Sequence, residues 1–371
     1  MVKVLYITDS LKKRFGVTSV ITNYIGHIKD SRVHIDVLAY DDSENGVINE
    51  LKTYGADVYL MPKLSFKTIF KFIEFIKCFF KHHEYQIVHS HFNQIDCIIF
   101  PIAKKYGVEH CISHSHSSRN SDYIIRAIRN YIMCMPLPYL ADTWAACSEI
   151  AGNFLYGKSF SKSEKKLIVN NAIEVSKYKF DKDLRMAMRK SLGISSDEIV
   201  IGMVGSLKPV KNHSFIIKVF KELTDRNCNN NKLYRLIIVG DGELKQILEK
   251  QTESLGLLNK VIFTGVRQDI PNLLNAFDIF LLPSLYEGLP VSAVEAQASG
   301  LPCLLSNRIT REVDIVNTTY LPIDSVDEWV KKIILTDTNN RKDCSLLVSQ
   351  KGFDINTEAQ KLADYYVKVA C

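Results

Sequence analysis

Short, nearly continuous apolar runs alternate with amphipathic stretches of helical period along most of this sequence, the pattern of an open parallel sheet covered on both faces. The first half predicts strands at 3–9, 34–40, 56–61, 86–91, 109–116, 143–148 and 165–173, with helices near 17–27, 46–53, 66–81, 96–106, 121–134 and 149–155. The pattern restarts with strands at 198–207, 234–242, 260–265, 278–284, 302–307 and 319–323, interleaved with helices at 212–224, 243–254, 270–276 and 290–299. A charged helical piece at 180–191 separates the halves, and 357–370 closes as an amphipathic helix. The expectation is two facing doubly wound α/β domains, residues 1–178 and 179–352, hinged near 175–197, with residues 353–371 crossing back onto the first. Ligands of such sheets bind beyond the carboxyl ends of the strands, so the cleft between the domains is the expected site.

Composition agrees with a globular chain. Its 371 residues are 46% hydrophobic and 24% charged, enough for two packed cores and unlike a disordered segment. Nine cysteines (Cys78, Cys97, Cys111, Cys134, Cys147, Cys228, Cys303, Cys344 and Cys371) form no CxxC pair, so they read as thiols of a reducing compartment. The opening MVKVLYITDS reads as a strand and not an export signal, and no apolar run reaches the length of a spanning helix. A cytoplasmic location is expected, with peripheral attachment to the inner membrane face as its variant.

The formal charge of +6 suits an anionic small substrate, nucleic acid or an anionic lipid surface without choosing among them. The segment FKTIFKFIEFIKCFFK (66–81) sets Lys67, Lys71, Lys77 and Lys81 on one stripe against many phenylalanines and isoleucines. Such a helix suits an interfacial membrane position; the same pattern also suits packing on a sheet. Membrane contact predicts that serine at Phe72 and Phe79 lowers binding to anionic vesicles.

The richest chemistry lies in LPSLYEGLPVSAVEAQASGLPCLLS (282–306). Pro290 suits the first turn of a helix and Gly288 a tight approach to it, which leaves amides near Leu289 and Val291 facing an anion. Glu287 and Glu295 flank this turn, and a carboxylate grips a vicinal diol through two hydrogen bonds. MVGSLKPVKN (203–212) adds Gly205, Lys208 and Lys211 at another strand end, and VGDGEL (239–244) with Gly240 and FTGVRQDIPNLL (263–274) add two more glycine-bearing ends. None matches GxGxxG or the P-loop pattern. In the first half VHSH and SHSH cluster His89, His91, His114 and His116 at strand ends. Alternation along a strand is expected to put only one ring of each pair into a given site, and a zinc site from His91, His114 and His116 lacks HExxH or cysteine support. Metal is therefore not expected. Arg119, Arg126 and Arg129 are candidates for steering an anionic acceptor, or solvated helix charges.

These residues together resemble the retaining glycosyltransferases of the large bacterial family numbered four, with the two-domain GT-B fold, and in particular its exopolysaccharide and capsule branch. The resemblance rests on GSLKPVKN, IIVGDGEL, the long run from VIFTGVRQDIPNLL to SGLPCLLS, and, in the first half, YITDSLKKRFGVTSVITNYI, IVHSHF, SHSHSS, WAACSEIAGNFLYG and VNNAIEVSKYKF. It implies an acceptor-binding first domain and a nucleotide-sugar-binding second domain. By resemblance, Glu295 binds the ribose hydroxyls, and Glu287 the donor-sugar hydroxyls with the backbone of Gly288, Leu289, Pro290 and Val291. Lys211 meets the diphosphate beside Gly205, Val266 and Arg267 lie at the base, Gly16 sits under the phosphates, and His116 lies near the reacting carbon. Two departures stand out: Ser206 replaces the family's common arginine, leaving Lys208 as a substitute clamp, and Phe15 precedes Gly16 where two glycines are usual.

The implied reaction moves a hexose or N-acetylhexosamine, with retention, from a nucleoside diphosphate sugar to a saccharide or polyprenyl-diphosphate-linked acceptor in surface polysaccharide synthesis. UDP is the expected carrier, and no cofactor, metal or nucleic acid is implied. Fixed amides and Lys211 aimed at the leaving diphosphate stabilise the charge that develops there. Glu287 and Glu295 suit gripping hydroxyls better than the paired-carboxylate work of a hydrolase. Two other readings remain: a nucleotide-sugar-binding subunit of a two-protein transferase, motivated by Ser206, and a UDP-sugar 2-epimerase.

Overall fold

The computed structural model describes residues 1–13, 16–118, 124–226 and 232–370; Phe15, Arg119, Cys228 and Cys371 lie outside the described residues. The chain divides into two compact units, one of residues 1–172 together with 355–371, the other of residues 173–354. The division falls six residues before the expected 178/179 boundary because Ile173 N–H donates to the Phe353 carbonyl at 2.9 Å, which ties the connecting segment to the second unit.

The first unit is built from β1 (Val2–Ile7), α1 (Gly16–His27), β2 (Val33–Tyr40), α2 (Asn45–Thr53), β3 (Val58–Met61), α3 (Ile69–His82) and β4 (Ile87–Ser90). It continues through α4 (Asn93–Lys105), β5 (His110–Ser115), α5 (Ile124–Cys134), α6 (Leu137–Leu140), β6 (Thr143–Ala146), α7 (Glu149–Tyr156) and β7 (Lys166–Ile168). The seven strands are all parallel in the order β3-β2-β1-β4-β5-β6-β7. Central strands such as VLYI are buried on both faces, which is why they read as unbroken apolar runs. The order reverses direction between β1 and β4, so their carboxyl ends flank an opening at Asp9 and Ser90–Asn93.

The Phe-rich segment resolves into two parts. Phe72, Ile76, Phe79 and Phe80 are buried on the sheet side of α3, whereas Phe66 and Phe70 are 95% and 85% exposed. Phe72 and Phe79 are therefore core residues, and their replacement by serine would test packing, not a membrane surface.

The second unit starts with α8 (Lys182–Ser191) and β8 (Glu198–Val204) and runs through α9 (His213–Arg226), β9 (Leu233–Val239), α10 (Lys245–Ser254), β10 (Val261–Gly265) and α11 (Ile270–Ala276). It ends with β11 (Ile279–Leu282), α12 (Val291–Ala298), β12 (Cys303–Ser306), β13 (Thr318–Leu321), α13 (Val326–Leu335) and α14 (Ser345–Val348). Its six parallel strands are ordered β10-β9-β8-β11-β12-β13, with the reversal between β8 and β11. Helix α13 is absent from the expected element order; Trp329 is wholly buried in it and its indole N–H donates to the Pro322 carbonyl at 2.7 Å.

Helix α15 (Ile355–Val369) belongs to the first unit. Ile355, Ala359, Leu362, Ala363 and Tyr366 join Val20, Ile21 and Tyr24 of α1 in one core cluster over the sheet. The hydroxyls of Tyr6 and Tyr366 lie 2.7 Å apart inside it.

Candidate functional site

In the second unit, the reversal between β8 and β11 gathers the predicted donor residues. After β8 the chain turns through Gly205 and Ser206 into a 3-10 turn, Pro209–Lys211, and Asn212 takes a left-handed conformation (φ 55) to start α9. After β11 the loop passes Ser284 and Leu285 to Glu287, and Leu285 N–H donates to the Val210 carbonyl at 2.8 Å, which locks the two loops together. Lys211 Nζ then reaches Glu287 Oε1 at 2.6 Å, with both side chains mostly buried. Gly205 leaves room for this lysine: a β-carbon there would stand 3.3 Å from Lys211 Cε.

The other glycines have a different reason. Gly240 has φ +136, and a β-carbon on it would stand 2.0 Å from the Gly205 carbonyl oxygen; one on Gly242 would meet the Leu207 backbone. Gly205 N–H donates to the Val239 carbonyl and Gly240 N–H to the Gly265 carbonyl, each at 2.9 Å, so the three strand-end loops are stitched into a ledge. Gly240 is thus needed for backbone against backbone. On the same ledge Val266 is largely exposed, and Arg267 makes a two-pronged ion pair with Asp269 at 2.7 and 2.6 Å.

Pro290 is the residue before α12 and not part of its first turn; with ψ 104 it is extended, and the helix starts at Val291. Leu289 is buried and Gly288 lies between it and Glu287. The partial positive charge of the start of α12 falls at Val291, four residues after Glu287. One turn further, Glu295 is half-buried and accepts a hydrogen bond from the Tyr178 hydroxyl at 2.7 Å. Burial raises the Glu295 carboxyl above its usual range, with the Tyr178 bond pulling it back. Tyr178 was not singled out by sequence, since its partner lies 117 positions away. Close to Lys211, His213 is wholly buried with both ring nitrogens unpartnered among the described residues, and burial lowers its pKa to about 4. Ser206 and Lys208 sit on the loop where the family's arginine is common.

In the first unit, a pocket of about 260 Å³ opens at the reversal between β1 and β4. Asp9, His91, Asn93, His116 and Arg129 line it. Gly16 starts α1, and among the described residues beyond its own neighbours and helix backbone no atom lies within 4 Å of where its β-carbon would be. His116 stands at the end of β5 in van der Waals stack with His114, ring centroids 4.0 Å apart. The expectation that each histidine pair points one ring to a site is overturned. Residues two apart on a strand share a face, so His89 and His91 of β4 meet His114 and His116 of β5 in one cluster of stacked rings. Burial drives all four pKa values down, His116 to about 3, so the rings are neutral. Arg126 is exposed on α5, while Arg129 of the pocket donates to Asn130 Oδ1. The same alternation would have found His91 as a pocket residue, and the position of Asp9 at the end of β1 would have found Asp9.

Residues 185–345 match the family model for glycosyl transferases group 1. Over 98% of this chain and 96% of its own length, the putative glycosyltransferase EpsF of Bacillus subtilis is 28% identical. The Escherichia coli UDP-Gal:alpha-D-GlcNAc-diphosphoundecaprenol alpha-1,3-galactosyltransferase is 27% identical over 77% of this chain and 76% of its own. Among solved structures, Anabaena HepE in complex with UDP and glucose superposes with a TM-score of 0.79 at 20% identity, covering 99% of this chain and 100% of that one. Two parallel-sheet units with this strand order are those of the GT-B glycosyltransferases. The match to the glycosyl transferases group 1 model thus falls on residues 185–345, within a chain that has the GT-B fold.

Proposed function

We propose that this glycosyltransferase moves a hexose or N-acetylhexosamine, with retention of anomeric configuration, from a UDP-linked donor to a saccharide or polyprenyl-diphosphate-linked acceptor in surface polysaccharide synthesis. The observation that carries the reading is the Lys211–Glu287 pair at 2.6 Å, placed where the β8 and β11 ends part, with α12 starting four residues after Glu287. A lysine and a helix start suit a leaving diphosphate, and a carboxylate paired with that lysine suits the hydroxyls of the sugar it leaves. The names of similar proteins support the donor: the galactosyltransferase uses UDP-Gal, and HepE binds UDP with glucose.

In the free enzyme Glu287 holds Lys211. When donor arrives, Lys211 shares its charge with the diphosphate, and Glu287 accepts hydrogen bonds from sugar hydroxyls. Positive charge grows at the anomeric carbon as the sugar–phosphate bond breaks, and negative charge grows on the diphosphate. Lys211 and the α12 amides are fixed before that moment, so their stabilisation costs no reorganisation. Glu295, steadied by Tyr178, grips the ribose. No cation is assigned to the diphosphate and no cofactor to the reaction. Gly16 is assigned to the phosphates, and His116, at the rim of the first unit's pocket, to a sugar hydroxyl. The exposed pair Phe66 and Phe70, with Lys67 and Lys71, is assigned to the anionic lipid surface that carries a polyprenyl acceptor.

Calorimetric titration with UDP, with GDP as control, tests the donor. Saturable binding that favours UDP and is lost in Glu295→Ala supports the reading; preference for GDP moves the donor to another base. Binding of neither favours the second reading, a subunit that needs a partner, for which Ser206 in the arginine position is the specific observation. Restoration of binding by Ser206→Arg would then locate the defect.

A further inference from the structure

His89, His91 and His114, at the ends of β4 and β5, have no role in the transfer chemistry proposed above. One nitrogen from each of His89, His91 and His114 lies within 4.8 Å of the other two. The two nearest, His89 Nε2 and His114 Nδ1, are 3.1 Å apart. Ligand nitrogens of a tetrahedral zinc site, each about 2.0–2.1 Å from the metal, stand about 3.3 Å from one another, and the His89–His114 pair already has that spacing.

The surroundings hold two of these rings through one nitrogen each. Zinc-bound histidines commonly donate their other ring N–H to an outer partner, which fixes the tautomer and leaves the remaining lone pair for the metal. His89 Nδ1 lies 2.6 Å from the Tyr366 hydroxyl, which is itself held by Tyr6. His91 Nδ1 lies 2.8 Å from His116 Nε2. In both rings the Nδ1 side is engaged, which leaves Nε2; that of His89 faces His114 Nδ1 in a hydrogen bond that a bound ion would replace. His91 Nε2 is buried and has no partner among the described residues. Such an orphan costs about 1–3 kcal/mol, and an unseen ion or water is a usual reason for one. Its place in this cluster points to something bound there.

We propose that His89, His91 and His114 bind one zinc ion in the first unit, with Tyr366 and His116 as the outer partners that orient His89 and His91. The site joins β4 and β5 to α15, so the ion fixes the final helix on the unit it packs against. Lys211 and Glu287 belong to the chain's other unit, and the zinc site stands or falls independently of the role proposed for them.

The test uses the untagged full chain, stripped with a chelator and titrated with Co²⁺ alone, then with Zn²⁺. One Co²⁺ per chain with the intense visible absorption of a tetrahedral site, displaced by Zn²⁺, is the expected result. His91→Ala and His114→Ala should each weaken binding at least about 100-fold, and Tyr366→Phe about 10-fold, the size of an outer-partner effect. Circular dichroism identifies any variant that fails to fold, and the unmodified chain keeps the test decisive in that event. Absence of stoichiometric binding by the folded unmodified chain overturns the proposal and leaves water as the occupant. So does Co²⁺ binding that folded His91→Ala and His114→Ala variants retain in full.

Discussion

The Tyr178 hydroxyl donates a hydrogen bond to Glu295 Oε1 at 2.7 Å, joining the segment that enters the second unit to helix α12. The bond favours the ionised carboxylate, against the burial that raises its pKa. A raised acid pKa in the fold means that this group's contribution to stability is present below its unfolded pKa and fades as pH rises through the folded one. Tyr178→Phe removes the opposing bond, so the Glu295 pKa climbs further. If Glu295 grips the ribose as a carboxylate, the variant's UDP affinity falls about 10-fold, the scale of a bond to a charged group, and the acid limb of binding moves to higher pH. Titration calorimetry across pH reads both; an unmoved acid limb would remove Tyr178 from the site.

The Lys211–Glu287 pair separates two roles. Glu287→Gln keeps the shape and loses the charge, so UDP alone should bind within about 2-fold of the unmodified chain while turnover of UDP-sugar falls. A loss of about 10²–10³ in kcat is the scale for one group that stabilises developing charge. Lys211→Met should weaken UDP binding as well, because it removes a phosphate contact. Equal losses of UDP affinity in both variants would contradict the division of labour.

Gly240→Ala tests the ledge. At φ +136 with the Gly205 carbonyl 2.0 Å from the new methyl, the chain must shift where Lys211 is held. Strain of this kind costs about 2–3 kcal/mol. Thermal denaturation should show the loss, and UDP affinity should fall with it since Gly205 moves. A variant of unchanged stability would mean that the loops yield freely.

Much of this architecture is legible in the order of residues, and the failures have physical causes. Strands buried on both faces betray themselves as apolar runs, so the two sheets follow from β1 or β8 alone. Helix α13 also carried its signals: Ser325 caps it by accepting from Glu328 N–H, and Trp329, Val330 and Ile333 share its buried face. It was passed over because the expected order stopped at the last strand. Gly240 could not be interpreted locally, since a sequence does not distinguish a glycine that admits a ligand from one that admits another loop. Tyr178 finds its carboxylate only through the fold. The histidines were misread by one step of strand geometry: positions 89 and 91 share a face, and the β4–β5 register sets His114 beside them.

Asp96 gives a pH test on the other face of the same strands. It is wholly buried, accepts from Ser113 Oγ at 2.7 Å, and has an Oδ1 without a partner among the described residues; burial pushes its pKa up to about 7 from 3.8. The fold therefore binds this proton more tightly than the unfolded chain. Its contribution is full below the unfolded pKa and is lost as pH rises through about 7, on the order of 4 kcal/mol in all. Asp96→Asn does not titrate. Between about pH 5 and about pH 7.5, the variant's stability relative to the unmodified chain should rise by about 2–3 kcal/mol. The neutral histidines opposite titrate in the reverse sense, equally in both proteins, and cancel. Denaturant unfolding at the two pH values measures the difference; a constant difference would mean that Asp96 is ionised throughout.

The membrane assignment rests on which phenylalanines are outside. Phe66 and Phe70 are exposed next to Lys67 and Lys71, and Phe72 is in the core of α3. A second exposed apolar face, Ile124, Ile125, Ile128 and Tyr131 of α5, belongs to the same unit and carries Arg126 and Arg129. Half-burying one ring in an interface contributes about 1 kcal/mol, so Phe66→Ser with Phe70→Ser should lower partitioning to anionic vesicles about 30-fold with melting temperature unchanged. Phe72→Ser should do the reverse, lowering the melting temperature because it removes a ring from the core. Cosedimentation with vesicles of phosphatidylglycerol and phosphatidylcholine, beside thermal denaturation of each variant, separates the cases. If the double variant partitions like the unmodified chain while an Ile125→Ser, Ile128→Ser variant does not, α5 is the membrane face and the 66–81 assignment is wrong.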